Sequence, residues 1–324
     1  MVEATPESDA GCRRETDMSP PTMNIARPGR ILLATDLSAR CDRALDRAAR
    51  LATEWQVPLL VVHAMPRDVV ASWPSTDDTP SWRQPPDTVA AIERQIRRDL
   101  GHEVDQLAIH VAEGKPADVI LDLAKREGCD LIVLGASHER SGHSVLGRTA
   151  EALIRKSSAS LLVVRNRPRE AYRQILIGTD FTVESRHGLH VATTWFPQAS
   201  FVLMHALDIP YKSLWLDPAR REEFTRLELG TIEDFLADAR LPDPQRQRIR
   251  PMIEHGHPEI MLRNYVLEEG ADLTVIGALR RGLAFHMLVG GSARRIVQEV
   301  PGDILVVRAG VAQESAQESG QLPD

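Results

Sequence analysis

Two carboxylates and two glycine loops are the residues with chemistry to offer. Asp36 ends RILLATD and Asp180 ends QILIGTD, each closing a short apolar run. Farther on, DLIVLG stops at Gly135 and DLTVIG stops at Gly277. After a polar loop, a further glycine opens a helical pattern: Gly147 in one case, Gly290 with Gly291 and Ser292 in the other. A strand, a glycine loop and a helix amino terminus together present backbone N–H groups and a positive dipole end to an anion. A carboxylate at the neighbouring strand end suits ribose hydroxyls or the amino group of an adenine. A plainer role is open to the same residues, because an aspartate ahead of a helix can cap its first N–H groups.

The elements that position these groups occur twice. ILLAT, PLLVVHAM, AIHVAEG, DLIVLG and SLLVV are short runs rich in Leu, Ile and Val that read as strands. Between them apolar residues recur at helical spacing, as Ala44, Leu45, Ala48, Leu51 and Ala52 do. A charged amphipathic helix is expected from Asp87 to about His102, and another opens at Pro116 and closes at Gly128. The whole order then returns, with SFVLMHALD for PLLVVHAMP and IEHGHPEIML for VAEGKPADVI. Asp36 to Asp180 is 144 residues, His63 to His205 is 142, Gly114 to Gly256 is 142, and Gly147 to Gly290 is 143. A duplicated domain accounts for offsets that constant.

Strands alternating with helices predict an α/β fold: two tandem five-stranded parallel sheets, doubly wound, with helices on both faces. The expected domains are 29–166 and 173–309, joined by a linker around Pro168, with polar, disordered tails at 1–28 and 310–324. Met18 or Met23 are alternative start positions within the first tail. The Pro- and Ser-rich stretch from Pro66 to Pro86 reads as the most mobile internal loop. Ligands of such sheets sit where the strand order reverses, which places Asp36 opposite Gly135 and Asp180 opposite Gly277.

Composition narrows the function. With 43% hydrophobic but only 4% aromatic residues, the cores are aliphatic, as parallel sheets require. A net charge of −7 argues against nucleic acid or an anionic membrane as partner. No apolar run is long enough to span a bilayer, and the first residues lack the apolar core of a signal peptide. Cys12, Cys41 and Cys129 are odd in number and scattered, which fits a reducing compartment, so a cytoplasmic location is expected. His63 and His205 end buried strands and are expected to bond to backbone. The pairs His187 with His190 and His255 with His257 lack a third ligand at a metal-site spacing, so no metal is expected. Glu151 reads as a helix surface charge. Phosphate-loop, dinucleotide, nucleophile-elbow and zinc-protease motifs are absent, so the expectation is a binding protein and not an enzyme.

Taken together, these motifs resemble the universal stress protein family, twice in one chain. The carriers are ATD and GTD after the first strands, VHA and MHA ending the second, the EGKP and HGHP turns, the VLG and VIG loops, and the helices leading into LLVV and ILVV. The likeness covers nearly everything from Arg30 to Arg308. It implies an adenine-nucleotide-binding-like fold, dimerisation through the fifth strand, and a role in stress survival without a defined reaction. ATP-binding members carry a loop of the type G-x2-G-x9-G-[ST]. By that resemblance Thr35, Asp36, Ala64, Gly135 and Gly147 line an ATP site in the first half. Thr179, Asp180, Ala206, Gly277, Arg280, Gly290, Gly291 and Ser292 do so in the second.

Neither loop keeps the full pattern. His138 and Arg280 stand where the second glycine belongs, and a Cβ there hinders close approach of backbone to phosphate. In the first loop Gly147 comes one residue early and Arg148, then Thr149, follow it. The second loop keeps the spacing, with Gly291 in the Ser/Thr place and Ser292 next, and Arg280 and Arg281 can supply charge where backbone donors fail. The expected function is therefore an ATP-binding stress protein with its site in the second domain. A nucleotide-free scaffold acting through protein contacts is the alternative, and slow ATP hydrolysis a third. The fifth strands, Leu161 to Val164 and Ile304 to Val307, are expected to pair within the chain as an internal pseudo-dimer, burying two open edges, with a homodimer as the other arrangement.

Overall fold

The computed structural model describes residues 25–65, 87–101, 104–136, 139–140, 143–144, 147–207, 218–278 and 290–308. The Pro66 to Pro86 loop, Arg280, Arg281 and His138 lie outside the described residues. The short aliphatic runs become strands. In the first half these are β1 (Ile31–Thr35), β2 (Leu59–Met65), β3 (Leu107–Glu113), β4 (Leu131–Gly135), the two-residue β5 (Glu139–Arg140) and β6 (His143–Ser144), and β7 (Ser160–Val164). The second half has β8 (Gln174–Thr179), β9 (Ser200–Leu207), β10 (Ile249–His255), β11 (Leu273–Gly277) and β12 (Asp303–Val307). The helices are α1 (Asp42–Trp55), α2 (Thr88–Leu100), α3 (Pro116–Arg126), α4 (Arg148–Lys156), α5 (Val183–Trp195), α6 (Pro218–Asp238), α7 (Asp243–Arg246), α8 (Pro258–Glu269) and α9 (Gly290–Glu299).

Local chemistry sets their ends. The helix expected to start at Asp87 starts one residue later, because Asp87 is its cap and accepts the Ala90 N–H at 2.9 Å. Pro116 and Pro258 occupy the first helical positions of α3 and α8, where no N–H is needed, and Gly270 in the left-handed region ends α8. Pro251 lies in β10, an edge strand, where a missing N–H is tolerated and discourages further pairing. Among the described residues no helix is long and apolar enough to cross a membrane.

All ten longer strands join one sheet in the order β10-β9-β8-β11-β12-β7-β4-β1-β2-β3. Neighbours within each half run parallel, and the fifth strands β7 and β12 pair antiparallel with Leu162 opposite Leu305. Side chains alternate into two layers that each cross the halves. One packs α1, α2, α5 and α6 on one face, and the other packs α3, α4, α8 and α9 on the opposite face. Aromatics concentrate where the halves meet: the rings of Trp55 and Trp195 lie 5.5 Å apart and those of Tyr172 and Phe196 meet edge-on at 5.4 Å. The end of the polar leader joins this junction. Pro28 is buried, and the Ala26 carbonyl accepts the Trp195 indole N–H at 3.0 Å.

The junction also buries a charge. Asp303, 1% exposed at the start of β12, accepts the N–H groups of Arg165 and Asn166 on Oδ1, both at 2.8 Å, and the Tyr172 hydroxyl on Oδ2 at 2.6 Å. Arg47 of α1, 4% exposed, sets its Nε 3.6 Å from Oδ2, lays its guanidinium 4.0 Å over the Tyr172 ring, and donates to the Glu170 carbonyl. Burial pushes the Asp303 carboxyl up from its ordinary value, and the surrounding donors offset part of that rise. The linker is thus pinned to both halves. Removing one partner of a buried pair strands the other. Asp303→Ala is expected to cost about 3–5 kcal/mol in urea unfolding of the full chain. Ser160→Ala, at the equivalent position of β7, gives up one neutral hydrogen bond and should cost about 1 kcal/mol.

Candidate functional site

At the carboxyl ends of β1 and β8 the backbone makes the same turn. A bulky residue sits in the left-handed region in both, Leu37 at φ 61° and Phe181 at φ 62°. Two hydroxyls hold that geometry: Thr35 Oγ1 accepts the Leu37 N–H at 3.0 Å and Thr179 Oγ1 the Phe181 N–H at 3.1 Å. Both threonines are buried, and Thr179 also bonds the Ser185 hydroxyl at 3.0 Å. Their carbonyls bind His63 and His205 through Nδ1, at 3.0 and 2.8 Å. A carbonyl only accepts, so each ring carries a proton on Nδ1. These are the backbone-bonded histidines the sequence implies. Phe181 further stacks on His205, with centroids 4.2 Å apart.

The aspartates are not the helix caps that one interpretation of the sequence allows. The left-handed residue inserts a turn between strand and helix, so the cap of α1 falls on Cys41 and that of α5 on Thr182. Thr182 Oγ1 accepts the Ser185 N–H at 3.3 Å. Asp36 and Asp180, both exposed, instead brace these turns. Asp36 Oδ1 accepts from the Ser38 N–H at 2.9 Å and the Cys41 thiol at 3.1 Å, and Asp180 Oδ1 from the Thr182 N–H at 3.2 Å and its hydroxyl. Burial alone raises the Asp36 carboxyl, yet hydrogen bonds from Ser38 and Cys41 and the charge of Arg40 outweigh it and hold it below its usual range. Burial, with Asp36 beside it, pushes the Cys41 thiol up to about 11, so Cys41 stays protonated and donates. Oδ2 of Asp180 makes no hydrogen bond among the described residues.

The glycines that open the two loops have a packing role. A Cβ on Gly277 would stand 2.2 Å from the Glu184 carbonyl oxygen, because the first turn of α5 rests directly on the end of β11. Gly188 of α5 approaches the same point, where its Cβ would lie 3.3 Å from the Gly277 nitrogen. Gly135 faces the start of α1 in the same way, less tightly, with a Cβ 3.0 Å from the Arg40 carbonyl. The later glycines stand at helix amino termini. Gly147 caps α4 through its carbonyl, and Gly290, Gly291 and Ser292 are the first residues of α9. Ala64 and Ala206 occupy half-buried positions near the carboxyl ends of β2 and β9.

Register brings these groups together within each half. Ala34 pairs with Leu134 and Gly178 with Ile276, so Asp36 and Gly135, like Asp180 and Gly277, flank one crevice. In the first half the intervening loop closes into the β5–β6 hairpin, which lies against α9 of the other half. Glu151 is more than a surface charge: it pairs with Arg294 of α9 at 2.9 Å. A cleft of about 660 Å³ beside the first turn is lined by Thr35, Leu37, Asp42, Arg43, Asp99 and Arg167 among others. Its walls come from separate segments, so no motif in the sequence marks it. Among the described residues no group of three or more His, Cys, Asp and Glu is placed to hold a metal.

The family model for universal stress proteins matches the chain twice, over residues 28–165 and 171–308. The chain belongs to the universal stress protein family. A universal stress protein of Mycolicibacterium smegmatis is 27% identical over 300 residues, spanning 86% of this chain and 96% of its own. Universal stress protein A homolog 1 of Coxiella burnetii is 29% identical over 136 residues, 41% of this chain and 94% of its own. Among solved structures, a universal stress protein from Archaeoglobus fulgidus superposes with a TM-score of 0.62 at 15% identity, covering 87% of this chain and 99% of that one. A putative universal stress protein from Pseudomonas aeruginosa gives 0.62 at 19% identity, with 90% and 97% covered. At those identities the likeness is one of fold.

Two outcomes follow for this tandem universal stress protein. Gly277→Ala should lose about 1–3 kcal/mol of stability through overpacking against backbone, and Gly135→Ala less, measured by thermal or urea unfolding. His187 of α5, 7% exposed, has its pKa pushed below 6.5 by burial, with a backbone hydrogen bond to Arg308 offsetting part. The unfolded chain then binds a proton that the folded one refuses, so this contribution is full above pH 6.5 and fades as pH falls through the folded value. The stability gap between wild type and His187→Gln should narrow from pH 7 to pH 5.

Proposed function

We propose that this universal stress protein binds an adenine nucleotide, ATP, in its second half, and acts as a nucleotide-responsive binding protein. The observation that carries this reading is the exposed Asp180 carboxylate, with Oδ2 open, at the crevice between β8 and β11. That placement suits ribose hydroxyls or an adenine amino group. Val183, 56% exposed next to the Thr182 cap, offers an apolar face to a base. The N–H groups of Gly290, Gly291 and Ser292, which have no partner within α9 because they open it, suit phosphate oxygens, with Arg280 adding charge. In the first half the loop is engaged as a hairpin against α9, which disfavours a ligand there.

A scaffold role is favoured by a different observation: Gly135 and Gly277 are filled by their own helix starts and the threonine hydroxyls by their own turns. Nucleotide content separates the two. Freshly purified protein, denatured and run on an ion-exchange column, is expected to release near-stoichiometric adenine nucleotide. Asp180→Ala should weaken ATP binding about tenfold, roughly 1.4 kcal/mol by calorimetry, with Asp36→Ala near wild type. Gly290→Trp is the control for the phosphate end, because substitution at Gly277 breaks packing before it reports on a ligand. An empty protein that gives no heat with ATP leaves the scaffold. The pairing of β7 with β12 supports a single chain as the working unit, its two halves a pseudo-dimer.

A further inference from the structure

The last helix of each half ends against an arginine supplied by the other half. Arg165 follows β7 in the first half, and its guanidinium donates to three carbonyls at the carboxyl end of α9: Gly302 at 3.0 Å, Val300 at 3.4 Å, and Val297. Its N–H is held by Asp303 at 2.8 Å, and its carbonyl accepts from Arg43 of α1 at 2.5 Å. Arg308, 7% exposed after β12, mirrors it. Its guanidinium donates to the Ile154 carbonyl in the last turn of α4, and its N–H to Ser160 Oγ at 3.1 Å. Ile154 and Val297 are equivalent positions of the duplication, as are Ser160 and Asp303. The Arg308 guanidinium also donates to the carbonyl of Ala278 at 3.4 Å, the residue that follows Gly277.

Both ends of the second loop are therefore tied to the first half. Ala278 is held by an arginine that also grips α4. Gly290 opens a helix whose far end is gripped by Arg165. A cation on the last carbonyls and an anion at the first N–H groups interact with the same aligned peptide dipoles. The partners are carbonyls, so the fork of donors matters as well as the charge, and lysine reproduces only part of it. We infer that Arg165 and Arg308 are positioning residues that couple α9 and Ala278 of the second half to the first half, so that ligand bound at the amino end of α9 is felt at the end of β7. The inference rests on the second-half site proposed above.

The test is hydrogen–deuterium exchange on the full chain, with and without ATP, for wild type, Arg165→Met and Arg165→Lys. Without ligand, Arg165→Met should speed exchange of the α9 amides about tenfold while leaving β1 and β2 unchanged, with Arg165→Lys between. With ATP, affinity should fall about fivefold in Arg165→Met and recover in part in Arg165→Lys. In wild type, ATP should slow exchange of the Arg165 and Asn166 amides, a readout that requires no variant to fold. A wild type that binds no ATP removes the nucleotide site, while faster α9 exchange in Arg165→Met still upholds the clamp. Unchanged α9 exchange in Arg165→Met, or ATP binding without protection at Arg165, overturns the inference.

Discussion

Antiparallel pairing of the two fifth strands is the constraint from which the rest of the molecule follows. Each half is a parallel sheet with its first strand at the middle and its fifth at an edge. An open edge of Leu and Val strands invites association, and β7 and β12 remove both edges by joining each other. Because they run antiparallel, the carboxyl ends of the two half-sheets point in opposite directions. The two crevices flanked by Asp36 and Asp180 thus open at opposite ends of the sheet. The same geometry sets the carboxyl end of each half beside the amino end of the other. Residues just past one fifth strand, Arg165 or Arg308, accordingly meet the last turn of the other half's final helix.

Duplication supplied two equal halves, and the junction made them unequal. Asp303 on β12 has Ser160 as its equivalent on β7, and each accepts a backbone N–H from beyond the opposite strand. The carboxylate does more than the hydroxyl, because it also gathers Asn166, Tyr172 and Arg47. A buried charge gains little net stability once its desolvation is counted, but it penalises any pairing that leaves it unpartnered. Placed where two similar strands meet, it favours one arrangement of linker and halves over the alternatives that internal symmetry permits.

Much of this fold was legible in the sequence because duplicated motifs at near-constant spacing constrain each other. Strand runs, helix starts at Pro116 and Pro258, and the fifth-strand partnership all follow from period, punctuation and edge logic. The site was legible in placement and less so in role. Asp36 and Asp180 look like caps until one bulky residue in the left-handed region, Leu37 or Phe181, pushes the cap onward, and no propensity favours Leu or Phe there. Gly277 looks like a phosphate-loop glycine because its true neighbour, the Glu184 backbone, is distant in sequence. Nothing in the sequence singles out Arg165 and Arg308, since their partners are carbonyls in the other half, which sequence patterns do not reveal.

These assignments alter how a ligand can be recognised. The first loop glycine of each half is where a helix start packs, and the second glycine of the family pattern is replaced in both loops. Among the described residues of the second half, Asp180 Oδ2 makes no hydrogen bond, and α9 begins at Gly290. Both sit at the ends of rigid elements: a strand bonded on both sides, and a helix anchored at its far end by Arg165. On the nucleotide reading proposed above, recognition rests on groups carried by these two elements. That reading requires one ligand to meet both groups, so it predicts preference for a molecule with a ribose or base at one end and phosphate at the other over a free anion.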